Sequence, residues 1–190
     1  MIEIKRDTKE TQIELKFSLR GSGRAKVDSG IGFFDHMLDA LCRHSGMDME
    51  LKCNGDLHVD YHHSVEDVGI VIGQALKKSL FPVGEVERYG NARVVMDEAL
   101  VSCDLDISNR PFLVYELDID GKIGSFDTEL VEEFFRALVI NSGLSVHLIQ
   151  ARGKNRHHIV EAAFKAFAVA IRRALSPSSL KGTPSTKGVL

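Results

Sequence analysis

The stretch Asp60-Tyr61-His62-His63-Ser64-Val65-Glu66-Asp67 decides how this chain is read, because its lettering returns near the far end as Asn155-Arg156-His157-His158-Ile159-Val160-Glu161. Each copy spells His-His-x-x-Glu at the start of an apolar-periodic helix. With a rise of ~1.5 Å per residue, two imidazoles and a carboxylate fall within about one turn. Imidazole nitrogen with carboxylate oxygen suits Mn, Fe, Co, Ni or Zn, so a metal centre is the first expectation.

The repeat reaches further upstream. Phe34-Asp35-His36-Met37-Leu38-Asp39-Ala40-Leu41 and Ser45-Gly46 precede the first copy, and Glu132-Glu133-Phe134-Phe135-Arg136-Ala137-Leu138 and Ser142-Gly143 precede the second. In both, a helix with apolar residues three and four apart ends in Ser-Gly, the glycine serving as a left-handed cap. An alternating strand, a short Gly-containing loop and the His-His-x-x-Glu helix follow. Each unit therefore reads helix, strand, loop, helix. Aligned on Leu41 and Leu138, His36 stands opposite Glu133, so each half offers one further ligand.

On one helix His62 and Glu66 share a face, whereas His63 points about 100° away. The economical arrangement pairs the repeats. His62 and Glu66 share a cation with a histidine of the other half, His157 and Glu161 do the reverse, and His36 and Glu133 complete the shells. Two quasi-equivalent metals follow. Spacing leaves open whether the halves meet within a chain or between subunits.

Composition narrows the setting. A chain of 190 residues, 44% hydrophobic and 27% charged, fits one globular unit, and a net charge of −3 gives no reason to expect nucleic acid. No run of ~18 apolar residues suggests a membrane span, and Met1 to Arg20 alternates too much for a signal peptide. Cys42, Cys53 and Cys103 form no Cys-x-x-Cys, which points to core thiols in a reducing cytoplasm.

In chain order, Ile2 to Lys5, Thr11 to Leu19 and Met47 to Cys53 read as strands, and Phe33 to His44 as the first helix. The first histidine pair opens a helix from His62 to Leu80, stopped by Pro82. An alternating block, Ala92 to Ile107, and Phe112 to Ile119 read as neighbouring antiparallel strands around Asn109-Arg110-Pro111. Phe126 to Asn141 is the third helix, capped by Asp127 or Thr128. Leu144 to Gln150 is its partner strand, and Asn155 to Leu175 the last helix. Residues 178–190, rich in Ser, Thr, Pro and Gly, read as disordered on composition.

The remaining candidates have plain readings beside functional ones. His58 and His147 fall on expected strands as packed or edge residues. His44 sits where a helix dipole favours an imidazolium. Arg88 and Arg110 fall in turns, where guanidinium is ordinarily solvated; an anionic substrate would give both a use. The His-Glu-x-x-His order of metalloproteases, a Gly-x-Ser-x-Gly elbow and a phosphate-binding Gly-rich loop are absent.

Four segments together resemble the imidazoleglycerol-phosphate dehydratase family. They are Asp28-Ser-Gly-Ile-Gly-Phe-Phe-Asp-His-Met-Leu-Asp39, His62-His63-x-x-Glu66-Asp67, Gly153-Lys154-Asn155-x-His157-His158-x-x-Glu161 and Pro184-Ser185-Thr186-Lys187-Gly188. The resemblance implies an α+β fold, internally duplicated, each half a mostly antiparallel sheet packed on two helices. The whole chain, 1–190, would be one compact unit of two tandem repeats, about 1–90 and 91–190.

It further implies a lyase of histidine biosynthesis that removes water from imidazole glycerol phosphate to give imidazole acetol phosphate. Two Mn2+ ions per site would stabilise a substrate imidazolate. Active sites would lie between subunits of a trimer-based, 24-subunit homo-oligomer. By position His36, His62, His63, Glu66, His157, His158 and Glu161 match metal ligands, with Glu133 standing where the family usually carries histidine. Glu10, His36, His44, Arg88, Arg110, Lys165, Ser185, Thr186 and Lys187 match substrate contacts, and Glu10 and Glu161 are the candidates for proton transfer. The tail is then expected to order over bound phosphate. Tyr61, where a second Asp is common, touches hydrogen bonding outside the ligand set. The competing reading is a non-catalytic metal-binding or storage shell, which would use the histidines and leave the arginines idle.

Overall fold

The computed structural model describes residues 1–179, 182–188 and 190. The first half runs β1 (Ile2–Asp7), β2 (Thr11–Ser18), β3 (Ala25–Asp28), α1 (Gly32–Ser45), β4 (Asp48–Gly55) and α2 (His62–Leu80). The second repeats that order as β5 (Tyr89–Met96), β6 (Ala99–Asp106), β7 (Phe112–Glu116), α3 (Glu129–Ser142), β10 (Ser145–Arg152) and α4 (Arg156–Ala174). A small hairpin, β8 (Lys122–Ile123) and β9 (Phe126–Asp127), is inserted before α3. The fold is α+β and internally duplicated.

Sheet order is β1-β2-β4-β3 in one half and β5-β6-β10-β7 in the other, and in each the last strand joins in parallel. Alternation drives this. Ile13, Leu15 and Phe17 of β2 face inward while the alternating Gln12, Glu14 and Lys16 face water. Both first helices end as their Ser-Gly pairs dictate: Gly46 and Gly143 adopt φ of 79° and 76°, and their N–H groups return to Cys42 and Val139 carbonyls.

The helices cover the two sheets and pair across the halves, α1 on α4 and α2 on α3. Phe34, Phe134, Phe135, Phe164 and Phe167 fill the seam, all of them buried. Ring centroids of Phe134, Phe135 and Phe164 lie 4.9–5.3 Å apart. Each such side chain contributes about 1.5–3 kcal/mol of burial. No helix among the described residues is long and apolar enough to cross a membrane.

Several boundaries differ from the sequence reading. Ala92 to Ile107 is not one strand: Asp97 takes φ 48° and splits the block into the β5–β6 hairpin. Phe112 to Glu116 is not the neighbour of β6, because β10 comes between them. The reason is burial. Val146 and Leu148 of β10 are fully buried and demand a central place, whereas no residue of β7 is, so β7 takes the edge. Phe126 and Asp127 are strand, not helix, and the hydroxyl of Thr128 donates to the Gly121 carbonyl instead of capping α3. His58 lies in a turn rather than on a strand.

The tail is not loose where it is described: the Pro184 carbonyl accepts from Arg88 Nη1 at 2.7 Å, and Lys187 N–H donates to Ser185 Oγ at 3.2 Å. The disorder expected for 178–190 also covered residues 180, 181 and 189, which lie outside the described residues.

The close approach of α2 and α3 rests on Gly73, where an added Cβ would stand 2.5 Å from the Leu138 carbonyl oxygen. An Ala for Gly exchange inside a helix ordinarily stabilises by about 1 kcal/mol. Here overpacking reverses the sign, and Gly73→Ala should lose about 1–3 kcal/mol. Chemical denaturation reads this directly; a gain in stability would mean the helices do not touch backbone to backbone.

Candidate active site

Each His-His-x-x-Glu copy sits at a helix start held by a side chain of its own loop. Asn155 Oδ1 accepts the N–H groups of His157 and His158, and Asp60 Oδ1 accepts that of His62. Within each pair the imidazoles diverge, with interplanar angles of 86° and 80°. One ring of each pair turns along the helix toward its own glutamate; the other turns to a carboxylate on a neighbouring element.

Because α1 packs on α4, His36 of the first half meets His157 and Glu161 of the second. Glu161 Oε2 lies 3.1 Å from His157 Nε2 and 3.5 Å from His36 Nε2, while its Oε1 takes Lys165 Nζ at 2.6 Å. Burial works against the Glu161 charge, yet the Lys165 hydrogen bond and the imidazoles more than offset it and hold the carboxyl below its usual range. The pKa of His44 is lowered, chiefly by burial and then by the charges of Lys165 and Arg172.

The ligand atoms of His36, His157 and Glu161 all lie within 4.8 Å of one another. Donors so spaced fit round one divalent cation, whose bonds to nitrogen and oxygen run about 2.0–2.2 Å. Among the described residues this is the one group of three with that spacing.

The other candidates gather less tightly. His62 Nε2 is 3.9 Å from Glu66 Oε2. Glu133, on α3, leans toward Arg136 Nε at 4.0 Å and is not brought to His62 within the chain. His63 Nδ1 meets Asp56 Oδ2 at 3.0 Å, and its Nε2 faces Glu10 Oε1 at 3.7 Å. His158 Nδ1 meets Glu98 Oε2 at 2.7 Å, with Asp97 3.8 Å from its Nε2.

Sequence reading missed Asp56, Asp97 and Glu98. The duplication carried a signal for Glu98, which precedes β6 as Glu10 precedes β2. Asp56 had no counterpart to betray it.

The second feature is a cleft of about 770 Å3 lined by Arg88, Arg110, Ser185, Thr186 and Lys187. Arg88 is no solvated turn residue. It is 8% exposed, adopts φ 69°, and grips Asp106 through Nε and Nη2 at 2.7 and 3.1 Å. Arg110 is more open, its Nη2 3.7 Å from Asp106. Two smaller surface hollows, of about 630 Å3 around Arg43 and about 430 Å3 around Lys26, contain none of the histidines.

Fold and site define a class: an internally duplicated α+β protein that builds a histidine–carboxylate cluster between its halves and keeps an arginine-lined cleft for an anionic group. The family model described as imidazoleglycerol-phosphate dehydratase matches residues 29–171. Relatives of that name from Aliarcobacter butzleri (strain RM4018) and Sulfurovum sp. (strain NBC37-1) are 64% and 63% identical, over the full length of both chains in each case. The crystal structure of the enzyme from Staphylococcus aureus subsp. aureus N315 is 41% identical with a TM-score of 0.84, covering 93% of this chain and 98% of that one. That of Pyrococcus furiosus gives 37% and 0.85, covering 98% and 100%. This chain belongs to the imidazoleglycerol-phosphate dehydratase family and is a dehydratase, a hydro-lyase.

The pKa shifts set a pH test. Hydrogen bonds to Asp56 and Glu98 raise the pKa values of His63 and His158, while His158 and the Asn155 and Lys154 amides pull Glu98 down to about 2. Raised histidines contribute stability that is complete below about pH 6.5 and lost as pH climbs through the folded value; the depressed Glu98 contributes above about pH 4.5 and is lost toward pH 2. His44 acts in the opposite sense. The metal-free protein should therefore lose more thermal stability between about pH 6 and 9 than a His63→Gln/His158→Gln variant. Equal losses in the two would remove this account.

Proposed function

We propose that this chain removes water from imidazole glycerol phosphate to yield imidazole acetol phosphate in histidine biosynthesis, using two Mn2+ ions. The observation that carries the reading is the meeting of His36 from one half with His157 and Glu161 from the other. Full-length likeness to relatives named for the same dehydration supports it.

His36, His157 and Glu161 would hold one cation, while His62, His63, Glu66, Glu133 and His158 are the donors for completing that shell and a second. When bound, the ions supply Lewis acidity toward the substrate's imidazole ring. The proton to be lost sits on a carbon with no adjacent carbonyl, so the ions' activation of the ring would have to supply most of its acidity. Glu161 is the candidate to take part in the transfer because it is prepositioned, nine-tenths buried and held at both oxygens, not because it is strongly basic. Glu10, on the β1–β2 turn 3.7 Å from His63, is suited to the second transfer, at the departing hydroxyl.

Arg110, Lys187, Ser185 and Thr186 would hold the phosphate, with Arg88 fixing the tail at Pro184. Lys165 orients Glu161, and His44, whose pKa is lowered by burial, is the candidate for a further hydrogen bond to substrate. The donors left open on α2 and α3 are best used by a second copy, which supports a homo-oligomer with sites between subunits; a trimer-based assembly of 24 subunits is what the family resemblance implies for it. Exposed Tyr89, Phe112 and Ile140 support such contacts. Three buried free thiols fit a cytoplasmic setting.

Purified protein incubated with Mn2+ and imidazole glycerol phosphate should generate an enolisable ketone, and chelation should stop it. Arg110→Ala should raise KM about 10- to 100-fold through a lost charge-assisted contact of about 1.5–3 kcal/mol, and Glu161→Gln should abolish turnover. Activity should fall as pH drops from about 8 toward about 6, because protons compete with the metal for the ligand histidines, two of which, His63 and His158, have raised pKa values. Full turnover after metal removal would end the proposal.

A further inference from the structure

The two histidines that turn away from the helix axis, His63 and His158, are each met at Nδ1 by a carboxylate, but the two carboxylates are not equivalent. Asp56 presents both oxygens to His63 Nδ1, at 3.0 and 3.2 Å, and has no other side-chain hydrogen bond among the described residues. Glu98 is divided. Its Oε1 accepts the backbone N–H groups of Asn155 and Lys154, at 2.8 and 3.2 Å, and its Oε2 faces His158 Nδ1 at 2.7 Å.

A carboxylate has no proton to give, so each neutral imidazole must carry its proton on Nδ1 and leave Nε2 with a bare lone pair. Asp97, 3.8 Å from His158 Nε2, is too far to hold a proton there. We infer that Glu98 is a positioning residue: by occupying Nδ1 of His158 and the two amides that lead into α4, it fixes the tautomer in which Nε2 can bind a cation. The inference rests on the metal-binding reading above and specifies how the chain prepares one of its donors.

The division of labour makes the test selective. In Glu98→Gln, the amide oxygen is required by the two backbone N–H donors, so the NH2 group faces Nδ1. A donor there forces the imidazole to accept at Nδ1 and to carry its proton on Nε2, which blocks coordination. Reversing the amide would set NH2 against two N–H groups. In Asp56→Asn no such conflict exists, because the amide can turn its oxygen to His63 Nδ1 and preserve the tautomer. Two exchanges of the same size and charge change should therefore behave differently.

The experiment is calorimetric titration of the metal-stripped full chain with Mn2+ alone, at about pH 8, for the wild type and both variants. The expected result is a loss of about 10- to 100-fold in affinity for Glu98→Gln, the range typical of groups that orient a ligand, with Asp56→Asn within a few-fold of wild type. Histidine ring nitrogen NMR of the metal-free wild type should show His158 protonated at Nδ1, a readout independent of how well either variant folds. Equal affinities for Glu98→Gln and wild type, equal losses in both variants, or a wild-type His158 protonated at Nε2 would each overturn the inference while leaving the metal reading intact. A wild type that takes up no Mn2+ would overturn the metal reading and the inference with it.

Discussion

The packing of each half's helices against those of the other half is the constraint on which the rest depends. A four-stranded sheet with one apolar face needs a cover, and two helices on that face expose apolar surface of their own. Duplication solves both problems, because the second unit brings the complementary layer. The phenylalanine seam between α1, α3 and α4 then fixes which helices touch. His36 reaches Glu161 because α1 is obliged to lie on α4, and the site follows from the way the core is filled.

Charge is handled locally once that seam is set. Glu161 is the buried carboxylate of the cluster, compensated at one oxygen by an ammonium and at the other by imidazoles. Burying it without Lys165 would cost several kcal/mol. The histidines on the diverging faces are instead fixed from outside by Asp56 and Glu98, which come from a loop and a hairpin turn. The two halves thus reach similar imidazole orientations through non-equivalent residues, as expected where geometry at a site is constrained and its supporting positions are not.

The tail shows a similar dependence. A non-glycine residue at φ 69° carries a penalty of about 1–2 kcal/mol, which at Arg88 is offset by two charge-assisted bonds to Asp106 and by the bond to Pro184. With its guanidinium so occupied, Arg88 anchors the segment bearing Ser185, Thr186 and Lys187 and brings it over the cleft that Arg110 flanks.

Much of this was legible in the order of residues. The repeated His-His-x-x-Glu, the matched Ser-Gly helix ends and the alternation in β1, β2 and β4 depend on local periodicity and backbone preference, which sequence records directly. Helix α2 from His62 to Leu80 is an instance. What the sequence could not decide was anything requiring knowledge of neighbours in space. The insertion of β10 between β6 and β7, the pairing of α1 with α4 rather than with α2, the burial of Arg88 and the placement of Asp56 and Glu98 on imidazole nitrogens all join residues far apart in the chain. Periodicity reports which face of an element is apolar; only the competition among all such faces for a shared core decides which of them meet.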